Sequence, residues 1–291
     1  MGEQIADLKL PADVPESRIT PANVSHTALF SLSGKTIAIT GGGRGVGITL
    51  AAAVLEAGGN AACLDILETP AAEEWAAIEK TAKTSGLRLS YRRVDITDEE
   101  NLSDILDEIE REGTEAGAPL YGTIACAGIQ QKTPAIEYPK SDFERMFSVN
   151  VTGTFLTAKH TARILIKNGV KGSIVMIASM SGDIANRGLT CSAYNSSKAA
   201  VQQLCRSVAQ EWGQYGIRVN TLSPGYIRTA MTDALLATNP DLEKIWMAGA
   251  LLGRLGAPED FKAPAVFLLS QGSSFMTGAD LRVDGGHCAS A

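Results

Sequence analysis

The chain has 291 residues, 45% hydrophobic and 20% charged, proportions that exclude a disordered, collagen-like or low-complexity protein. Lys plus Arg number 26 against 32 Asp plus Glu, a formal charge of −6, so no excess of cations exists for a nucleic-acid backbone or an anionic membrane. A chain this long can bury a sizeable core without disulfide or metal staples.

Residues 1–33 carry Pro11, Pro15 and Pro21 with little periodicity and read as an extended N-terminal arm. Glu3, Asp7, Asp13 and Glu16 lie among them without an apolar core, so the arm is neither a secretory signal nor a transit peptide, and cytosol is the expected compartment. From residue 34 to 291 one domain is expected. A β-branched run at 35–40 predicts a first strand, ended at once by the glycines of 41–47; an Ala/Leu-rich helix follows over 48–57. The pattern continues with a strand at 60–65, a helix near 71–84, a strand at 89–95, a helix near 98–112 and a strand at 120–125. A helical stretch over 139–167 precedes a buried strand at 172–178. Then come a helix over 193–214, a strand at 217–222, helical segments near 230–250 and 258–270, and a last strand at 279–283. Strands alternating with helices of ten or more residues require right-handed crossovers, hence an α/β, doubly wound Rossmann-type domain with about seven parallel strands.

Five scattered cysteines, Cys63, Cys126, Cys191, Cys205 and Cys288, form no C-x-x-C pair, so reduced buried thiols are expected and no metal site. No apolar run approaches the roughly 18 residues of a membrane helix.

Three segments carry chemistry. The loop after the first strand reads Thr40-Gly41-x-x-x-Gly45-Val46-Gly47, and glycines there let a pyrophosphate approach the open N–H groups of a helix N-terminus. Asp65 ends the second strand 18 residues beyond Gly47, near the offset of about 20 at which a carboxylate accepts from ribose hydroxyls. Such a charge repels a 2′-phosphate and favours NAD over NADP, although Arg44 in the loop is a possible phosphate partner or adenine stacker. Asp95 ends the third strand and is a candidate for the adenine amine, or an ordinary turn residue. Tyr194 and Lys198 stand at i and i+4 on one helical face, and Ser179 ends the preceding strand, where open α/β sheets bind ligands.

In order, Thr40-Gly-x-x-x-Gly-x-Gly47, Asp95, Cys126-Ala127-Gly128, Asn150, Ser179, Tyr194-x-x-x-Lys198, Ser223-Pro224-Gly225 and Val283-Asp-Gly-Gly286 resemble the short-chain dehydrogenase/reductase family over residues 34–287. The resemblance implies a catalytic set of Asn150, Ser179, Tyr194 and Lys198. It implies cofactor contacts at Gly41, Arg44, Gly45, Val46, Gly47, Asp65, Asp95, Ile96, Cys126, Ala127, Gly128, Tyr194, Lys198, Pro224, Gly225, Ile227 and Thr229. It further implies an NAD(P)-dependent exchange of a secondary alcohol and a ketone, in a homotetramer. Two departures stand out: Cys126 where the family usually has Asn, and two extra residues between Ser179 and Tyr194. The first is expected to adjust local hydrogen bonding without loss of activity.

Tyrosine's ordinary pKa near 10 is too high for a base at neutral pH. A lysine ammonium about 4 Å away would lower it by up to roughly three units, and so would the charge of an oxidised nicotinamide. Segments 183–193 and 226–250 are expected to choose the substrate. Asp183, Asn186, Arg187, Thr190 and Ser192 suit several hydroxyls, while Met231, Leu235, Leu236, Trp246 and Met247 form either an apolar lid or a helix packing its own core. Residues 29–35, 177–181 and 194–198 are similar to fungal polyol dehydrogenases and ketose reductases acting on mannitol, arabinitol or sorbose. Rival expectations are a carbonyl reductase of an apolar ketone and a nucleotide sensor without turnover.

Overall fold

The computed structural model describes residues 25–229, 232–233, 236–237 and 239–290. Most of the expected arm lies outside that set. Within it, the Ser25 hydroxyl accepts from the Ala28 amide and opens a one-turn helix, α1 (His26–Leu29), so residues 25–33 are not the extended segment expected.

Alternation then begins with β1 (Thr36–Thr40), α2 (Gly45–Glu56), β2 (Asn60–Asp65), α3 (Ala72–Ser85), β3 (Leu89–Arg93), α4 (Glu99–Glu115) and β4 (Leu120–Ala125). It continues with α5 (Lys140–Phe147), α6 (Thr154–Lys167), β5 (Ser173–Ile177), α7 (Ser192–Trp212) and β6 (Arg218–Pro224). The last described elements are α8 (Pro240–Gly249), α9 (Lys262–Leu269) and β7 (Asp280–Val283). All seven strands pair parallel in the order β3-β2-β1-β4-β5-β6-β7. The order reverses between β1 and β4, so adjacent crossovers leave to opposite faces and open a crevice at the strands' carboxyl ends.

Parallel strands covered on both faces must be apolar throughout, and β1 is buried at all five positions. Its alternation divides the layers: Ile37 and Ile39 join α2 and α9, whereas Ala38 joins Leu102, Leu106 and Ile109 of α4. Those three α4 residues form a stripe at i, i+4 and i+7, and Asp98 caps the helix by accepting from the Asn101 amide at 3.2 Å. Phe155, Leu156 and Leu165 pack within the chain's own clusters.

The stretch expected as one helix over 139–167 is α5 and α6 joined by a π-helical turn, Ser148–Gly153. In such a turn the backbone bond reaches one residue further, and the widened turn re-aims its side chains. Asn150 lies within it. Near 230–250 only part of the expected helix is described, as α8; Met231 and Leu235 lie outside the described residues.

Candidate active site

The chain leaves β1 at Thr40 and turns at Gly41, whose φ of 69° an L side chain rarely adopts. A Cβ there would also lie 2.8 Å from the Ala127 backbone, while one on Gly47 would fall on the Gly41 carbonyl oxygen. The loop is therefore folded onto itself and onto the end of β4. α2 starts at Gly45, three residues before the expected 48, so Gly45, Val46 and Gly47 occupy its first turn. Arg44 precedes them with no side-chain cap, which leaves first-turn N–H groups and the positive helix end to an anion.

At the end of β2, Asp65 is 9% exposed. Its carboxylate accepts from the Gly43 amide at 3.0 Å and the Leu67 amide at 3.2 Å. Two backbone donors fix one negative charge beside the glycine loop, with lone pairs to spare for hydroxyl donors. The glycine cradle, the open helix end and this acid fit the pyrophosphate and adenosine ribose of a dinucleotide. Arg44 is exposed and makes no ion pair among the described residues. Asp95 accepts from the Thr97 amide at 2.9 Å and its hydroxyl at 2.7 Å, the turn role. Ile96 is buried against Gly153.

Cys126 donates its amide to the Thr40 carbonyl at 3.2 Å, and the Ala127 amide points at the Thr40 hydroxyl at 3.4 Å. The backbone tie survives, but the thiol adds no hydrogen bond among the described residues, and burial pushes it up to about 11.

Asn150 is fully buried. Its Oδ1 accepts from the Ile129 amide at 2.8 Å, and its Nδ2 donates to the Ile129 carbonyl at 3.0 Å and the Ser197 hydroxyl at 3.0 Å. The side chain is thus a tie between the segment after β4 and α7. Its backbone carbonyl accepts from the Thr154 hydroxyl at 2.8 Å. Ile129 and Ser197 escaped the sequence reading, because Ile129 lies outside every motif, Ser197 is an unspecified position of Tyr194-x-x-x-Lys198, and the π-helical turn brings Asn150 to them.

α7 presents Tyr194 and Lys198 toward Ser179, at the carboxyl end of β5. The Ser179 hydroxyl accepts from the Ser181 amide at 3.1 Å and stabilises the Tyr194 phenolate. Lys198 is only 5% exposed and donates to the Ile177 carbonyl at 2.8 Å. Its ammonium stands 5.6 Å from the Tyr194 ring centroid. Burial therefore wins over lysine's pull: the phenol is pushed up to about 12 and the ammonium down to about 8. The expected lysine-driven lowering of Tyr194 is absent from this geometry.

Beyond β6, Gly225 donates to the Val283 carbonyl at 3.0 Å, and a Cβ on it would strike Asp284. Ile227 bridges to Gly256. The Thr229 hydroxyl, a cofactor contact by the resemblance, faces the Thr232 hydroxyl at 3.2 Å and amide at 3.3 Å. Two polar groups expected to face substrate hydroxyls are also engaged: Asn186 donates to the Tyr226 hydroxyl at 3.0 Å, and Asp183 meets Arg282 at 3.4 Å. Arg187, Thr190 and Ser192 are exposed. Leu236, Leu242, Trp246 and Leu255 pack on one another and on Tyr226 and Met247, so the described part of the lid has its own core.

No helix among the described residues is long and apolar enough to cross a membrane. The family model described as enoyl-(acyl carrier protein) reductase matches residues 41–287. A short chain dehydrogenases/reductase of Aspergillus versicolor, notP', is 48% identical over 92% of this chain and 91% of its own. The galactitol 2-dehydrogenase (L-tagatose-forming) of Cereibacter sphaeroides is 36% identical over 91% of this chain and 99% of its own. The crystal structure of an NADPH-dependent 3-quinuclidinone reductase from Rhodotorula rubra superposes with a TM-score of 0.83 at 36% identity, covering 94% of this chain and 99% of that one. With the glycine cradle, the buried lysine and the tyrosine on one crevice, these matches make the chain a member of the short-chain dehydrogenase/reductase family, which binds NAD(P).

Proposed function

We propose that this enzyme interconverts a secondary alcohol and a ketone, with a sugar alcohol and its ketose as the substrate pair and NAD preferred over NADP. The observation that carries the reading is the meeting of Ser179, Tyr194 and Lys198 at one crevice, beside the uncapped start of α2. Ser179 donates to the substrate oxygen, where charge develops. Tyr194, held protonated by burial, gives its proton to a ketone oxygen and recovers it from the alcohol in the reverse direction. Lys198 orients the nicotinamide ribose, and Asn150 holds the segment after β4 against α7. When bound, the cofactor supplies or accepts the hydride and, oxidised, adds a positive charge near the phenol. Gly41, Gly45, Val46 and Gly47 take the pyrophosphate and Asp65 the ribose hydroxyls. Ile96, Cys126, Ala127 and Gly128 line the adenosine side; Pro224, Gly225 and Ile227 line the nicotinamide side. The buried Asp65 carboxylate supports NAD.

The polyol reading draws on the galactitol enzyme's likeness. A second reading, reduction of an apolar ketone, is favoured by one observation: Asn186 and Asp183 are engaged while Tyr226 and Trp246 stack beside the site. Following reduced-nicotinamide absorbance with galactitol, D-arabinitol, their ketoses and 3-quinuclidinone separates the two. We also read the protein as one catalytic domain from 34 to 291, working in the cytosol as the homotetramer that the resemblance implies.

A further inference from the structure

Four segments around the crevice meet at one side chain that no motif contains. Tyr226 follows Gly225 at the exit of β6. Its hydroxyl accepts from Asn186 at 3.0 Å, within the loop that joins Ser179 to Tyr194. Its ring stacks on Trp246 of α8 with centroids 4.1 Å apart and planes 7° from parallel. The edge of His287, in the C-terminal turn, meets the same ring at 5.0 Å.

The loop itself is tied at its far end. The Asn195 amide donates to the Ile184 carbonyl at 3.1 Å, and the Cys191 thiol donates to Asn195 at 3.0 Å. The C-terminal turn closes on α8, where the Ser290 hydroxyl donates to the Gly249 carbonyl at 2.8 Å. Asn186 is 7% exposed, and its acceptor atom faces the Cys191 sulfur at 3.6 Å. Its amide is therefore unavailable to a ligand. A half-buried amide–phenol bond between two loops costs the unmade partner part of its solvation when broken, so it holds or releases both together.

We propose that Tyr226 is a positioning residue that sets substrate selection: through Asn186 it fixes the loop over residues 183–191, and through Trp246 it fixes α8 across from it. This rests on the reading of the crevice as the alcohol/ketone site. The Asn186–Tyr226 bond ties the loop between Ser179 and Tyr194 to the exit of β6. The wall so fixed is aromatic, and the clasp decides how far it stands from the Ser179 and Tyr194 oxygens.

The test uses the full chain with Tyr226→Phe, Asn186→Ala and the double variant. Phe keeps the stack on Trp246 and removes only the hydroxyl. Hydrogen–deuterium exchange of the 183–191 amides should quicken about tenfold in each single variant, the size of one lost hydrogen bond, with β5 and β6 amides unchanged. The double variant should be no faster than either single one, because both remove the same bond. With the best substrate of the screen, KM should rise about tenfold in both single variants while kcat moves less than threefold and the NAD Kd holds. Loop exchange equal to wild type in Tyr226→Phe overturns the clasp, whatever the substrate is. Faster exchange with unchanged KM overturns the selection role and leaves the assigned reaction intact. A wild type inert toward every alcohol and ketone, with the exchange result as expected, refutes the reaction reading and not the clasp.

Discussion

Replacing Lys198 with Met should abolish activity and yet stabilise the fold at neutral pH. The ammonium is 5% exposed, and burial holds it at about 8 in place of 10.5. At 1.36 kcal/mol per pKa unit, keeping that charge inside costs roughly 3 kcal/mol relative to an exposed lysine. Met matches the stem without the charge, but it strands the Ile177 carbonyl that Nζ now meets at 2.8 Å, an offset of about 1–3 kcal/mol. The net gain is up to about 2 kcal/mol, or a few degrees in Tm for a chain of this size. Its pH dependence is sharper than its size. Between about 8 and 10.5 the unfolded chain binds a proton that folded Lys198 has released. Wild-type stability therefore gains in that window from this group, and the variant lacks the gain. Raised thiols and phenols are common to both proteins, so the Tm difference between them isolates the lysine. Scanning fluorimetry from pH 7 to 10 should show the variant's advantage shrinking as pH rises. A variant less stable at pH 7, with a gap that does not move with pH, would refute the reasoning.

Asp65→Ser should narrow or reverse the cofactor preference. Losing hydrogen bonds to a charged acceptor is worth about 1.5–3 kcal/mol, so wild type should favour NAD at least tenfold in kcat/KM; equal efficiency with NADPH would sink the assignment. Gly47→Ala sets a Cβ on the Gly41 carbonyl and should abolish NAD binding in a fluorescence titration without unfolding the sheet. Because burial holds the Tyr194 proton up to about 12, the efficiency of alcohol oxidation should climb from pH 7 to 10 while ketone reduction stays flat or falls; oxidation fastest at pH 6 would contradict this. Light scattering should give four times the 30.6 kDa chain mass, and a monodisperse monomer would overturn the assembly.

Most of the fold was legible because parallel strands buried on both faces are written as unbroken apolar runs. β1, β2 and β4 show this, and their ends differ from the expected ones by a residue at most. β6 runs on to Pro224, two residues past its expected end, because β7 supplies Val283 as a partner there, which no local pattern announces. The same holds for the π-helical turn at Asn150, where hydrogen bonds to Ile129 and Ser197 act over long sequence separations. That Ser179, Tyr194 and Lys198 share one crevice was readable from spacing, but their electrostatics were not. Whether lysine or burial governs Tyr194 depends on how deeply the pair is buried and on the Ile177 carbonyl that takes the ammonium, both set by tertiary packing. The polar residues of segment 183–193 were legible as residue types only. That Asn186 turns to Tyr226 and Asp183 to Arg282 required the fold.

The central claim is that Tyr194 carries the proton of a hydride-transfer reaction on a secondary alcohol. Its most direct test compares wild type with Tyr194→Phe, with NAD affinity measured beside turnover of galactitol, D-arabinitol and 3-quinuclidinone in both directions. Wild type should turn over at least one of these, and the Phe variant should lose at least about 10²-fold in turnover with a nearly unchanged NAD Kd. Turnover within a few-fold of wild type in the Phe variant would contradict it.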